Sequence, residues 1–425
     1  MPHPIPVWSG VALVLAFQLA LFATVHRARS RLGAEGSRKT VHVASGLAAL
    51  GLPWLFHNAW PVILICSVTT VALAGVRLLP RWRAGLGRTL HEVDRTSYGE
   101  ALFPVAVAAL FVLAHDELAF YVIPLLVLTL ADAAAAIVGT RAGILHFRTA
   151  ESHKSLSGSF AFLAVAWTVT FVPLLAFDVV EPQRAALIAC IAATLLTLVE
   201  SIAFRGLDNL LLPVLGYAML KIDVTLEASA LATRLLLAAG LLIAMLVVRP
   251  AAAFLPDAAI ASALFCYTTW ALAGRAWLVA PVTALVICAI AFRTGRATDV
   301  APRGAPVVVA MTLAALVVLI AHVVAPDPAL HHAFVAAIAA SLGMLVRTAT
   351  DHRWAGMVAG VGAGTLPHIL FIATPDTRTL VAMLVWPIVA VIAPMPRDEA
   401  ARWWLRCAIL FVVAGSIVGI ASVDA

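Results

Sequence analysis

Lysine is almost missing from this chain, and charge of either sign is scarce. Three lysines stand against 25 arginines, and only 12% of the 425 residues are Asp, Glu, Lys or Arg. A soluble domain covers its surface with roughly a quarter charged residues, so a soluble globular protein is excluded. Cysteine is equally uninformative about scaffolding. The five present (Cys66, Cys190, Cys266, Cys288 and Cys407) fall in or at the end of apolar runs, and no Cys-x-x-Cys pair occurs. Neither a disulfide framework nor a zinc site is supported. No GxxxxGK[ST] loop, HExxH or GxSxG is present, which removes P-loop, zincin and serine-hydrolase chemistry by their own motifs.

What is present is apolar sequence, 63% hydrophobic with a mean hydropathy of +1.02. Runs of about 17–25 apolar residues recur along the chain, the length a helix needs to cross a bilayer core. Strand-like alternation is absent, which argues for helices and against a β-barrel. The expected fold is an all-α polytopic transmembrane bundle of about 14–16 spans, the first near 7–25 followed by a loop at 26–40, another near 185–203, and the last two near 378–394 and 406–421. "MPHPIPVWSG" has neither a basic n-region nor a small-residue cleavage site, so the first span is expected to be retained.

With the N-terminus outside and loops alternating, the inner loops collect 23 of the 28 Lys and Arg; Arg184, Lys221, Arg234, Arg275 and Arg378 remain outside. That is the positive-inside rule. The net charge of +6 therefore follows topology and gives no reason to expect nucleic acid. The polar inner loops crowd into the first half, which suggests two parts: 1–225, rich in candidate chemistry, and 226–425, a bland multi-span region.

Asp132 lies inside a span, in "LTLADAAAAIVGTRAG". An intramembrane carboxylate costs about 2.5–3.5 kcal/mol even on lenient insertion scales and is functional by default; pairing with an arginine for packing is the plainer reading. Lys154 stands in "ESHKSLSGSF". Where arginine is the default cation, a lysine suggests a compact ammonium for phosphate. Ser155, Ser157, Gly158 and Ser159 then offer hydroxyls and free N–H groups at a helix start, a ready anion site. Ordinary capping with a topogenic lysine explains the same residues equally well. Glu200, Asp208 and Asn209 gather on the same side in "VESIAFRGLDNLLLPV", as do Arg38, Lys39 and His42 in "SRKTVHVASG". Topogenic charge is the bland reading of Arg38 and Lys39. Carboxylates, a lysine and a helix start together suit a metal–phosphate site.

In order, "SRKTVHVASG", "TSYGEALFPVAVA", "ADAAAAIVGTRAG", "KSLSGSFAFL" and "VESIAFRGLDNLLLPV" resemble the polyprenol kinase family, the CTP-using phytol, farnesol and dolichol kinases. The resemblance covers roughly residues 35–220. It implies phosphoryl transfer from CTP, or another nucleoside triphosphate of the cytoplasm, with Mg²⁺, to an isoprenoid alcohol taken from the bilayer. It further implies Asp132 as a Mg²⁺ ligand and catalytic residue, with Glu200 and Asp208 as catalytic carboxylates. Asp208 is favoured to take the alcohol proton or hold metal. Lys154, Ser155, Gly158, Ser159, Arg38, Lys39, His42 and Asn209 would bind nucleotide or phosphate. This chain departs from the family pattern at Ser157, where an acidic residue is usual, at Glu100, where a small hydroxyl residue is common, and at Ala133, where a small polar residue or glycine follows the aspartate.

A cytidylyltransferase would show a Gly-His-Gly-Gly-like loop and paired C-terminal aspartates, which are absent. A lipid transporter or flippase fits the number of spans, although transporters usually repeat interrupted helices in both halves, and polarity here is confined to one. A catalytically altered family member is the other alternative. The alanine- and arginine-rich composition points to a GC-rich genome and a bacterial inner membrane, with the site facing the cytoplasm. Beyond membrane lipids, the sequence leaves homo-oligomerisation open.

Overall fold

A computed structural model describes residues 6–78, 98–114, 116–149, 153–248, 255–294, 304–350 and 355–362, with isolated positions between 385 and 392. The described chain is all-α apart from one short ribbon. Among the described residues, six helices are long and apolar enough to cross a membrane, and four shorter apolar helices accompany them. The protein is a multi-pass membrane protein. The expected spans beyond 378 lie outside the described residues, apart from those isolated positions.

The chain divides into two units, Met1–Phe147 with His153–Leu236, and Arg148–Ser152 with Leu237–Ala425. The first begins with α1 (Val7–Leu50), whose stretch 26–40, expected as a loop, is helical on both sides of a kink at Gly33. Its charges suggest a loop, but no proline interrupts Val7–Leu50, so helix forms both before and after the kink. The single break is Gly33, whose φ of 71° lies in the left-handed region that glycine enters without steric cost. After α2 (Leu52–Leu55) come α3 (Ala59–Leu78) and α4 (Gly99–Ala114). The next helix, α5 (Leu118–Arg141), contains one wide π turn at Val127–Ala131.

A two-stranded ribbon follows, β1 (His146–Arg148) with β2 (His153–Ser155), and then α6 (Leu156–Ala176), α7 (Pro182–Ile202) and α8 (Asp208–Asp223). In this unit α6 packs along α7 and α5, while α8 packs against α4, α5 and α7. The core between them is fully buried Tyr121, Phe111, Leu125, Leu128, Phe162 and Ile188. Outward-facing apolar side chains such as Val71, Val112 and Phe160 are those a lipid-facing surface requires. One end of the unit gathers the second half of α1, the last turns of α5 and α7, and the starts of α6 and α8.

Helix α9 (Ala228–Val248) passes from the first unit into the second, which continues with α10 (Pro256–Ala273), α11 (Arg275–Thr294), α12 (Ala305–Val324) and α13 (Pro328–Thr350). Its core centres on Trp277, Met311, Leu319 and Phe334. The buried carboxylate of Asp257 accepts from the Ala305 N–H at 3.1 Å, so it satisfies a free amide at the start of α12, where negative charge is stabilising.

Candidate active site

The site is built from a close helix contact. A Cβ added to Gly46 would stand 2.1 Å from Thr129 Oγ1, so α1 seats its bare backbone directly against the π turn of α5. Lys39, His42 and Gly46 recur at three- and four-residue spacing and share one helix face. Seating Gly46 on Thr129 therefore brings the other two over Asp132. Lys39 Nζ donates to Asp132 Oδ2 at 2.5 Å, and His42 Nε2 is 3.7 Å from the same oxygen. The imidazole also lies 3.2 Å from the Leu128 carbonyl oxygen and edge-on to Phe103, with ring centroids 5.0 Å apart. Arg38 adds its field to Asp132. A π turn frees backbone that a regular helix would occupy, and such turns recur at functional sites.

The ribbon supplies the second half. β2 carries Lys154 to the end of α7, where its ammonium donates to Glu200 Oε1 at 2.6 Å and also to the Glu200 backbone carbonyl. That carbonyl sits in the last turn of α7, where helical donors run out. The next residue, Ser155, caps α6: its Oγ accepts from the Gly158 N–H at 3.2 Å. Gly158 has no room for a side chain, since a Cβ there would lie 3.0 Å from the Ala135 carbonyl oxygen and 3.4 Å from Gly139 Cα. The start of α6 is thereby held against α5, one turn beyond Asp132. Ser157 ties the ribbon down, donating to the Ala142 carbonyl at 2.9 Å and accepting from the Ile144 N–H at 3.1 Å.

Asp208 opens α8 after a left-handed turn at Arg205 and Gly206. Its Oδ1 is buried and has no hydrogen-bond partner among the described residues. Glu200 feels the charge of Asp132 and Asp208, Asp208 feels that of Asp132, and both Lys39 and Lys154 act on Asp208. Three carboxylates and two lysines thus form one electrostatic cluster. Two expected residues contribute less directly. The Ser159 hydroxyl turns back to the Ser155 carbonyl at 3.4 Å, and the Asn209 N–H donates to the Gly206 carbonyl at 3.3 Å.

Among the described residues, no three His, Cys, Asp or Glu side chains converge as a ready-made metal cage. Mg²⁺ does not demand one, because it is commonly held by one or two carboxylates together with substrate phosphates and water. The Asp132 carboxylate is a hard donor of the right kind, and the orphaned Asp208 oxygen leaves a second carboxylate of the cluster open to substrate. Sequence reasoning does not find Gly46, Thr129 or Phe103; the three-and-four spacing of Lys39, His42 and Gly46 is the one signal available for the first.

A phytol kinase of Synechocystis sp. is 30% identical to this chain over 228 residues, which span 52% of this chain and 93% of that protein. The chain belongs to the polyprenol and phytol kinase-like family. Membership assigns a lipid-alcohol kinase at the level of the family. No family model matches the chain, and no solved structure matches it. In the kinase-like family, then, the acidic and basic residues that share one end of the first unit are those whose chemistry suits phosphoryl transfer.

Proposed function

We propose that this protein transfers the terminal phosphoryl group of CTP to the hydroxyl of an isoprenoid alcohol such as phytol, geranylgeraniol or a polyprenol. The observation that carries the reading is the convergence of Lys39, Lys154, Asp132, Glu200 and Asp208 beside the capped start of α6 in a relative of a phytol kinase. Phosphoryl transfer asks for charge neutralisation and in-line positioning more than for a covalent group. Lys154, Lys39 and Arg38 supply compact or forked cations for the phosphates. The α6 start, with Ser155 and the close-packed Gly158, supplies N–H groups and the positive end of a helix dipole. Ser159, His42 and Asn209 line the same region.

Asp132 would hold Mg²⁺, which would neutralise charge on the phosphates when bound. The alcohol oxygen forms a bond to the terminal phosphorus as the bridging P–O bond breaks and CDP leaves. The hydroxyl proton passes to Asp208, whose unpartnered oxygen is free to take it. The alcohol enters sideways from the bilayer, and the nucleotide comes from the cytoplasm; the site accordingly faces the cytoplasm in a bacterial inner membrane, with the N-terminus outside. CTP as donor, Mg²⁺ and the isoprenoid class are supported by the family resemblance and by the charge of the cluster.

The test is transfer of label from γ-labelled CTP with Mg²⁺ to phytol, geranylgeraniol, undecaprenol and diacylglycerol in membranes expressing the chain. Asp132→Ala membranes matched for protein level run alongside. Product that vanishes in the variant supports the kinase and names its acceptor. No product with any alcohol and any nucleotide turns the reading to lipid transport or to an altered enzyme.

A further inference from the structure

The phosphoryl-transfer site uses side chains of the first unit alone, and the phytol kinase match leaves about half of this chain without a counterpart. The second unit has a feature with its own chemistry. Its helices pack as a ring, α10 on α12, α12 on α13, α13 on α11 and α11 on α10. A cavity of about 90 Å³ lies inside the ring, lined by all four.

The cavity is a slot along the helix axes. From Gly304, just before α12, its lining continues through Val307, Val308, Met311 and Thr312, the three- and four-residue spacing of a single helix face. Ile338, Leu342 and Leu345 repeat that spacing on α13, so the slot extends about 10 Å along the axis. Aromatic rings pack one end. Phe334, one turn before Ile338, stacks on Phe265 with centroids 6.1 Å apart and meets Trp277 at 5.0 Å.

The walls disfavour a polar occupant. Their hydroxyls are turned onto helix carbonyls: Ser262 donates to Ala258 at 2.9 Å, Thr312 to Val308 at 2.8 Å and Ser341 to Met311 at 2.6 Å. The volume would take several waters, but a buried water needs about 2–4 polar partners, which these apolar walls do not supply. Left empty, the slot forfeits dispersion contacts along four helix faces, and in a bilayer such contacts are a main force holding helices together. A hydrocarbon chain lying parallel to the helices restores them.

A membrane offers straight acyl chains and methyl-branched isoprenoids. An extended isoprenoid carries a methyl on every fourth carbon, a repeat close to the helical pitch of about 5.4 Å. Its branches can drop between successive side chains of each stripe, as the ridges of one helix enter the grooves of another. A straight chain has no branches to seat there.

We propose that this slot in the second unit binds the hydrocarbon tail of an isoprenoid alcohol, as a lipid site additional to the phosphoryl-transfer centre. The choice of an alcohol rests on the kinase reading above, whose acceptor the slot holds in reserve.

The test is photolabelling of the full-length chain in lipid nanodiscs by geranylgeraniol carrying a diazirine on its tail, with labelled residues mapped by mass spectrometry. Label is expected within 304–312 and 338–345. Unmodified geranylgeraniol should displace it at a membrane mole fraction roughly tenfold lower than oleyl alcohol, the worth of two seated methyl groups. Ala284→Phe, which fills the slot from α11, should abolish slot labelling. Val317→Phe, on an exposed face of α12, should leave it unchanged. Label spread evenly over outward-facing surfaces, equal displacement by the two alcohols, or undiminished slot labelling in Ala284→Phe overturns the proposal. Displacement from wild-type protein needs no variant and decides the matter if Ala284→Phe does not fold. Labelling is read without nucleotide, which separates the two readings. A labelled slot without phosphoryl transfer strikes the kinase reading and leaves the slot standing; transfer with an unlabelled slot strikes the slot alone.

Discussion

Lys154 grips Glu200 twice, through the side-chain oxygen at 2.6 Å and through the backbone carbonyl of the same residue. A single ammonium thereby joins the ribbon that precedes α6 to the last turn of α7. The compactness of lysine matters here. An arginine fork is planar and longer, and would not place one donor between two oxygens of one residue. Lys154→Arg should therefore lower CTP-dependent lipid phosphorylation nearly as far as Lys154→Ala, by about 100-fold or more if the lysine supports the transition state. Measured kcat and KM on membranes from both variants check this. Full activity in the arginine variant would show that only positive charge is needed.

The seat of α1 on α5 gives a second expectation. Gly46→Ala drives a methyl group to within 2.1 Å of Thr129 Oγ1, and overpacking of this kind costs about 1–3 kcal/mol. The variant should melt at a lower temperature in detergent and lose activity, because Lys39 and His42 ride on the same face. Thr129→Ala alone should be nearly silent, since that hydroxyl is buried without a hydrogen-bond partner among the described residues. Combined with Gly46→Ala it should restore part of the loss, leaving only the 2.9 Å approach to the Thr129 Cβ. Additive losses in the double variant would contradict the contact.

How far the sequence foretells these features depends on the range of the interaction. Helix α7, expected over 185–203, is found at Pro182–Ile202, because a continuous apolar run between a Pro start and a Gly-containing turn is a local signal. The partners Lys39 and Asp132 lie 93 positions apart, and no periodicity reports such a pairing; the plainer reading gives Asp132 an arginine. The stretch 26–40 departs from expectation for the opposite reason. Its arginines mark a membrane boundary, yet arginine is a good helix former, so the stretch is helical on both sides of the kink at Gly33. The π turn before Asp132 has no signature in "VLTLAD" at all.

Ser157 stands where the family usually carries an acidic residue, and its hydroxyl is committed to the backbone at Ala142 and Ile144. That makes it a ribbon anchor. Ser157→Ala should reduce stability by about 1–2 kcal/mol, the net worth of the lost hydrogen bonds, while kcat stays within a few-fold of wild type. Thermal unfolding and lipid phosphorylation, measured on one preparation, separate the two effects. A collapse of kcat with unchanged stability would make Ser157 part of the chemistry instead.

A pH dependence arises at the opposite end of the first unit. Asp223 ends α8, beyond its apolar stretch, and is 2% exposed; Arg234 Nη1 donates to its Oδ1 at 2.8 Å. Burial pushes the carboxyl up from 3.8 to about 6, with Arg234 pulling the other way. The folded protein thus holds this proton more tightly than the unfolded chain does. By linkage, the stabilisation is complete below pH 3.8 and is lost as pH rises to about 6. Its size is of order 3 kcal/mol, since each tenfold gain in proton affinity on folding is worth about 1.4 kcal/mol. Melting temperatures in detergent from pH 4 to 7 should carry a falling contribution that levels off above about 6 and that Asp223→Asn removes. The same slope in the variant would assign the titration to another group. A contribution that rises over this window would mean that the ion pair with Arg234 outweighs the burial of Asp223.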